Sequence, residues 1–206
     1  MYINPFGINP TEILAGCIAV YENIWENPLK DIEIVNQVTS DASSNVKFVK
    51  SQTIGEIKTG NTEIQSIRTN YTLPLTREGF HNEELRKLNN KFYEKMVAGV
   101  SSYTNIFDIE QKLNDIEEYQ LLKYSGGQHY GAHYDGGTES HRAVSPILYL
   151  NDDYEGGEIE FVNFGLKIKP KAGSLLIFPS SYAYRHIAHP VTSGTKYAIV
   201  TWLHDQ

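Results

Sequence analysis

Cysteine is almost missing from this chain: Cys17 is the single thiol in 206 residues. One thiol cannot close an internal disulfide, so a disulfide scaffold is excluded and a buried, reduced side chain is expected. Positive charge is also scarce. Eighteen Lys and Arg stand against 25 Asp and Glu, a formal net charge of −7 with a pI near 5.5. Proteins that grip a phosphate backbone usually show a basic face, so nucleic-acid binding is disfavoured. No apolar run approaches the roughly 20 residues that cross a bilayer. The opening Met-Tyr-Ile-Asn-Pro-Phe has no basic segment leading into an apolar one, so no secretory leader is read there. Fixed-period repeats and low-complexity tracts are absent, which removes solenoids and arrays. The expectation is a cytoplasmic protein with no membrane or nucleic-acid partner.

What remains is ordinary globular material, 40 % hydrophobic and 21 % charged, of a length that suits one domain over 1–206. Residues 16–25, rich in β-branched and aromatic side chains, predict a strand. Asn27-Pro28 predicts an N-cap followed by proline at the first helical position. Leu29, Ile32 and Val35 then extend a short amphipathic helix over 28–38. Residues 39–80 are polar and irregular, with short strands expected at Phe48–Val49 and near Glu63–Thr72. The clearest helix is 81–100, where Leu85, Leu88, Phe92 and Met96 form one apolar stripe expected to pack on a sheet. From residue 118 the pattern changes. Strand-like runs at 118–124, 129–135, 142–150, 157–163, 165–169, 174–178, 183–189 and 196–203 predict a sandwich, jelly roll or barrel. Residues 1–117 would supply helices and supporting strands; 118–206 would form the β-core.

Within that core, His133 and Asp135 are two residues apart. On a strand they share a face, roughly 6–7 Å apart along the chain, and can converge on one metal. Gly136-Gly137 lets the strand end sharply. His186 opens a second stretch, His-Ile-Ala-His-Pro-Val-Thr-Ser-Gly-Thr-Lys. If Thr192-Ser193-Gly194 is a three-residue hairpin loop with Gly194 left-handed, Lys196 lies opposite Pro190 and shares a face with His186, roughly 13 Å away. That gap suits a small dicarboxylate with one end on a metal and the other on the lysine. Two His and one carboxylate leave coordination positions open, the pattern of non-haem Fe(II) oxygenases, although zinc accepts the same ligands.

Three ordered blocks carry a family resemblance. The first is Tyr124, Gly127, Tyr130, His133 and Asp135. The second is Arg142, Tyr149-Leu150-Asn151 and Gly156-Gly157-Glu158-Ile159-Glu160-Phe161. The third is His186, Pro190, Val191, Gly194, Lys196 and Trp202. Together they resemble the 2-oxoglutarate- and Fe(II)-dependent dioxygenases, most nearly the prolyl 4-hydroxylase branch, over about the last 90 residues. The resemblance implies a mainly β fold with flanking helices (α+β) around a double-stranded β-helix, a jelly-roll or cupin-like core. It implies iron held by His133, Asp135 and His186, with Lys196, Tyr149 and Tyr124 on the 2-oxoglutarate and Trp202 and Tyr130 lining the pocket. No further catalytic group is implied. Departures are Ala188, His189 and Tyr197 where the family often has Gly, another residue and Trp, and Ser145-Pro146 before the Tyr-Leu-Asn strand.

The implied activity is hydroxylation of a prolyl residue in a peptide or protein, with O2 consumed, succinate and CO2 released, and ascorbate as a supporting reductant. A free-amino-acid hydroxylase is the alternative within enzymes; a non-catalytic β-sandwich binding module is the alternative outside them. An AlkB-like demethylase is disfavoured by Lys196, since that branch uses arginine there, and by the acidic pI. Among rival side chains, His189 has odd offset from His186 and is expected to face away. His129 shares the parity of His133 and could sit near the site, but core or rim packing is expected. Arg185 is expected to point away, and Asp152-Asp153 to be a solvated turn. The 50–80 segment, with Tyr71, Pro74 and Arg77, is expected to form a mobile wall for a proline-rich peptide arriving as polyproline II, with some of the 14 Tyr lining the groove.

Overall fold

The computed structural model describes residues 7–52, 67–75, 82–110, 112–137 and 140–205. The first part supplies β1 (Glu12–Leu14), β2 (Ile18–Tyr21), α1 (Pro28–Ser40), β3 (Val49–Lys50), β4 (Tyr71–Leu75) and α2 (Glu83–Ile106). Next come β5 (Leu113–Ile116), β6 (Tyr119–Ser125), β7 (Tyr130–His133), β8 (Arg142–Tyr149), β9 (Glu155–Gly156), β10 (Ile159–Phe161) and β11 (Leu166–Ile168). The last stretch holds β12 (Ser174–Pro179), β13 (His186–Ala188), β14 (Val191–Ser193), β15 (Thr195–Val200) and β16 (Leu203–Asp205).

Local chemistry sets the helix ends. The Asn82 Oδ1 accepts from the N–H groups of Glu84 and Leu85 at 3.0 and 3.1 Å, a side-chain cap on α2 reinforced by two acids in its first turn. α2 runs past the expected end at Val100 because its buried face continues through Tyr103. α1 begins at Pro28 as expected, but Asn27 does not cap it: the residue is left-handed (φ 54°) and its side chain makes no cap bond. The preset φ of Pro28 starts the turn instead. The strand expected over 16–25 contracts to β2, and the chain then turns so that Ile24 and Trp25 donate to the Gly173 carbonyl. Tyr71 and Pro74, expected in an irregular wall, lie in β4 paired to β6; Arg77 and residues 63–66 lie outside the described residues.

Among the described residues one antiparallel sheet has the order β1-β2-β12-β8-β15-β6-β4-β3, with β16 joining β8 to β5. A smaller sheet runs β11-β10-β13-β7, and β14 pairs with β9. Side chains alternate through the large sheet. Leu148, Leu175, Ile177 and Ile199 point to the helices and meet Val35, Leu85, Phe92 and Met96. Tyr149, Leu176, Phe178 and Ala198 point the other way, onto Ile159 and Phe161 of the small sheet. Both faces are covered, so β12 is buried through Leu-Leu-Ile-Phe, and each such side chain contributes about 1.5–3 kcal/mol by leaving water. Two facing antiparallel sheets with helices on the outside of one form the expected double-stranded β-helix. Pro146 is tolerated in the middle of β8 because pairing to β15 stops at Ile147↔Val200, one residue short of it. No described helix is long and apolar enough to cross a membrane.

The expected hairpin around Gly194 is not formed. Residues 191–193 are a strand, β14, that pairs with β9, and Lys196 lies opposite Tyr124 of β6 rather than Pro190. Gly194 does take the left-handed conformation (φ 76°), but it serves a crossing from the small sheet to the large one. Pro190 and Val191 are already committed elsewhere: the Pro190 carbonyl accepts from Gly157 N–H and Val191 N–H donates to the Gln128 carbonyl. Asn151 fixes the far end of the crossing. Its Nδ2 donates to the Thr195 carbonyl at 2.7 Å and its Oδ1 accepts from Tyr197 N–H at 2.8 Å, so one buried amide clamps the backbone on both sides of Lys196. Replacing Asn151 with Ala leaves both main-chain groups unpaired in the interior and is expected to lower stability by about 1–3 kcal/mol, read as a reduced urea midpoint with an unchanged slope.

Candidate metal centre

β7 and β13 run antiparallel with His133 directly opposite His186. Each imidazole meets a main-chain carbonyl through Nδ1, His133 at Gly131 O (2.8 Å) and His186 at Tyr184 O (3.0 Å). A carbonyl only accepts, so Nδ1 carries the proton and Nε2 offers its lone pair, the arrangement in which a histidine binds a metal. The two Nε2 atoms face one carboxylate, His133 at 3.6 Å from Asp135 Oδ1 and His186 at 3.9 Å from Oδ2. Ligand atoms of all three lie within 4.8 Å of one another.

Asp135 arrives there by a different route from the shared strand face the sequence predicts. β7 ends at His133, and Asp135 sits in the bend that follows. Gly136 makes the bend: its N–H donates to the Ser180 carbonyl at 2.8 Å, and a Cβ there would stand 2.8 Å from the Arg142 carbonyl oxygen. Ser145 Oγ donates to Asp135 Oδ2 at 2.7 Å and lies 2.7 Å from Ser180 Oγ. Burial opposes ionisation of Asp135, but the facing His186 and His133 and the hydrogen bond from Ser145 outweigh it and hold the carboxyl well below its usual range. Burial, with His133 adding to it, pushes His186 down to about 4. At neutral pH the cluster is an anionic carboxylate beside a neutral His186, a donor set that fits a divalent metal with open positions.

A partly open cavity lies beside these three residues and reaches Lys196, Tyr124, Tyr149, Tyr130 and Trp202. Lys196 projects from the large sheet, 3 % exposed. Its Nζ donates to the Gly157 carbonyl at 2.7 Å and lies 5.4, 5.1 and 5.9 Å from the ring centres of Tyr124, Tyr149 and Tyr154. No described carboxylate pairs with it. Burial drops its pKa to about 7, with Lys169 adding to the fall and Glu158 opposing it. The phenols move the other way: burial raises Tyr124 to about 12 and Tyr149 well above 10, so both stay neutral donors. Trp202 offers a buried Nε1 with no partner, and its ring carries the Arg142 guanidinium at 3.7 Å. Tyr130 stacks on His133 with ring centres 3.5 Å apart. The buried Lys196 ammonium at this end suits an anion that would also reach a metal on the three ligands.

The rival side chains go elsewhere. His189 Nε2 meets Glu160 Oε2 at 2.6 Å, and the His129 ring sits against Thr69 and the Gly127 carbonyl. Arg185 is exposed. Arg142 is held by Glu117 in a two-point ion pair (2.5 and 2.6 Å). Asp152 and Asp153 are exposed, yet Asp152 accepts from Ala172 N–H and Asp153 from the Asn151 amide, so the pair structures its turn. Tyr197 faces the helices and donates to Asn36 Oδ1, which leaves the pocket untouched by that departure, whereas Ala188 lines it. Sequence reasoning missed Arg68, another lining residue, because it sits in a polar stretch with no periodicity. It also missed Tyr154 beside Lys196.

Residues 119–204 match the model of the 2OG-Fe(II) oxygenase superfamily. Among curated relatives, the chain is 34 % identical to probable prolyl 4-hydroxylase 9 of Arabidopsis thaliana over 44 % of this chain and 41 % of that protein. It is 27 % identical to prolyl 4-hydroxylase subunit alpha-1 of Gallus gallus over 70 % of this chain and 34 % of that one. The chain thus spans less than half the length of these relatives. Among solved structures, a viral collagen prolyl hydroxylase from Paramecium Bursaria Chlorella virus-1, in complex with 2OG, aligns with a TM-score of 0.63 at 20 % identity, covering 92 % of this chain and 96 % of that one. A prolyl hydroxylase from Trichoplax adhaerens, in complex with a hypoxia inducible factor peptide fragment, aligns with a TM-score of 0.71 at 21 % identity, covering 93 % and 84 %.

The hydrogen bond from Ser145 holds the carboxylate that faces both imidazoles. Ser145→Ala is expected to weaken divalent-metal affinity by about 10–100-fold with the fold retained. Titration calorimetry with Mn(II) as the redox-stable probe checks this, and unchanged affinity would show that Asp135 is positioned without Ser145.

Proposed function

We propose, from the premise that the chain is a prolyl 4-hydroxylase-like member of the 2OG-Fe(II) oxygenase superfamily, that it hydroxylates prolyl residues of a peptide or protein at C4. One observation carries the reading: a buried lysine without a carboxylate partner shares a cavity with a His-Asp-His cluster. His133, Asp135 and His186 would hold Fe(II). Lys196 would take the distal carboxylate of 2-oxoglutarate, with Tyr149 and Tyr124 as hydrogen-bonding phenols beside it. Residues 1–206 are read as one domain, supported by an apolar cluster that joins Val35 and Phe92 to Leu148 and Ile199. A reducing, cytoplasmic setting is supported by the lone Cys17.

Fe(II) with 2-oxoglutarate and O2 would supply the oxidation of an unactivated C–H bond, with succinate and CO2 as co-products. The chain's own part is placement. Carbonyl bonds at both Nδ1 atoms hold the imidazoles in the metal-binding tautomer. Apolar neighbours such as Ile147, Ile159 and Val200 keep the cavity dry, which strengthens charge interactions inside it. No side chain need remove a proton from the substrate.

The reaction is tested by offering proline-rich peptides, free L-proline and methylated single-stranded DNA with Fe(II), 2-oxoglutarate and ascorbate. Gain of one oxygen on peptide proline, recovered as 4-hydroxyproline, is expected. Oxidation of free proline alone or of DNA alone overturns the reading. Ala at His133, Asp135 or His186 is expected to abolish succinate formation with the fold retained.

Lys196 makes the co-substrate step pH-dependent. With nothing bound its pKa is about 7, so above that pH the amine is mostly neutral. A carboxylate favours the ammonium form, so binding takes up a proton. Affinity for 2-oxoglutarate is therefore expected to be flat below pH 7 and to fall up to about tenfold per unit above it. Calorimetry in the presence of Mn(II) across pH 6–9 checks the profile, and Lys196→Met is expected to bind weakly and without that slope.

A further inference from the structure

Arg68 enters the cavity from a single β-bridge to Tyr130, just ahead of β4. It is 8 % exposed. Arginine is almost never that deeply buried unless paired, because a desolvated guanidinium is costly without an anion. Among the described residues Arg68 has none. Its Nε donates to Asn70 Oδ1 at 3.0 Å and one terminal nitrogen to the Gln52 carbonyl at 3.2 Å. Both acceptors are neutral, and the guanidinium's remaining donors stay uncommitted. The carboxylate that lines the same cavity, Asp135, is engaged by Ser145 and faces the two imidazoles.

The position of this cation relative to the metal ligands is well defined. Its guanidinium carbon lies 4.7 Å over the Tyr130 ring centre, and that ring stacks on His133 at 3.5 Å with 15° between planes. Arginine, phenol and imidazole form one column. Lys196 belongs to the large sheet and has its own cage of phenols, so the co-substrate's distal carboxylate has a partner without Arg68.

We propose that Arg68 is a carboxylate subsite for the substrate, so that the enzyme selects an acidic group beside the residue it oxidises. The inference rests on the prolyl-peptide reading for the identity of that residue. The column sets the reach. An extended chain advances about 3.3 Å per residue, which places the carboxylate within roughly two residues of the target proline. It is either an Asp or Glu side chain or the free C-terminus of the peptide. The planar fork of arginine accepts both in the same two-point manner. Long-range attraction cannot produce this preference, since the chain's net charge is −7 and repels acidic peptides at a distance.

The experiment compares matched peptides carrying Asp, Asn or Lys next to proline, a peptide ending in proline as free acid and as amide, and free L-proline. Binding is measured on the Mn(II)-loaded protein with a non-reactive 2-oxoglutarate analogue, and turnover on the Fe(II) form. An acidic peptide, in one arm or the other, is expected to bind about tenfold or more tightly than its neutral counterpart, the scale of one charge-assisted pair. Arg68→Gln is expected to erase that difference with 2-oxoglutarate affinity unchanged, and Arg68→Glu to favour the Lys peptide. Equal binding of acidic and neutral peptides by the unmodified protein overturns the proposal whatever the variants do. Loss of 2-oxoglutarate affinity in Arg68→Gln overturns it too, by assigning the guanidinium to the co-substrate. If neutral and acidic peptides are hydroxylated equally, the prolyl-peptide reading stands and the subsite falls. If free proline alone is bound and Arg68→Gln abolishes that binding, the subsite stands and the peptide reading falls.

Discussion

Where β7 meets β13, His133 stands directly opposite His186, and a slip of one residue would turn the imidazoles to the opposite face of the strand. Much of the surrounding structure bears on that register. β10 pairs on the other side of β13, setting Phe161 against His186. The ladder between β7 and β13 is irregular beyond His186, where Ala188 meets Tyr130. The two Nδ1 contacts to carbonyls then set the ring orientations, so strand pairing and side-chain tautomer are linked. Asp135 is brought in from outside the strand by the close approach of Gly136 to Ser180, and Ser145 steadies it.

The second half of the site comes from the other sheet, and the two halves differ in kind. The small sheet and the bend after β7 present imidazole nitrogens and an anion. The large sheet presents a cation caged by phenols. Burying Lys196 without a carboxylate is unfavourable, and its lowered pKa records that cost. A divalent cation held at the first and an anionic ligand reaching the second would offset the charge on both sides. Pre-arranged but unsatisfied charge of this sort is common where binding matters more than stability.

Much of this was readable from residues alone, and the exceptions have physical causes. The alternation in 118–203 located the β-core because buried faces impose period two. His133, Asp135, His186 and Lys196 were all named, yet the geometric argument for two of them was wrong in detail. Strand parity placed Asp135, whereas a bend places it. A hairpin placed Lys196, whereas a crossing between sheets places it, with β14 drawn to β9. Parity arguments hold within one sheet and cannot see a chain change sheets. Arg68 was invisible for a related reason: its place at the cavity depends on one bridge to Tyr130, sixty-odd residues away, and a polar stretch carries no periodic signal of such a contact.

The large sheet is one residue thick, and its alternation divides two kinds of constraint. Side chains facing α1 and α2 answer mostly to volume and apolarity, which many sequences satisfy. Side chains facing the cavity answer to particular atoms at particular distances. Lys196 and Tyr197 are neighbours under opposite rules: the first faces the cavity, the second reaches Asn36 on α1. The helical layer is therefore freer to drift in sequence, and it is the natural place to trade thermal robustness for pliancy without disturbing the cavity on the other side of the sheet.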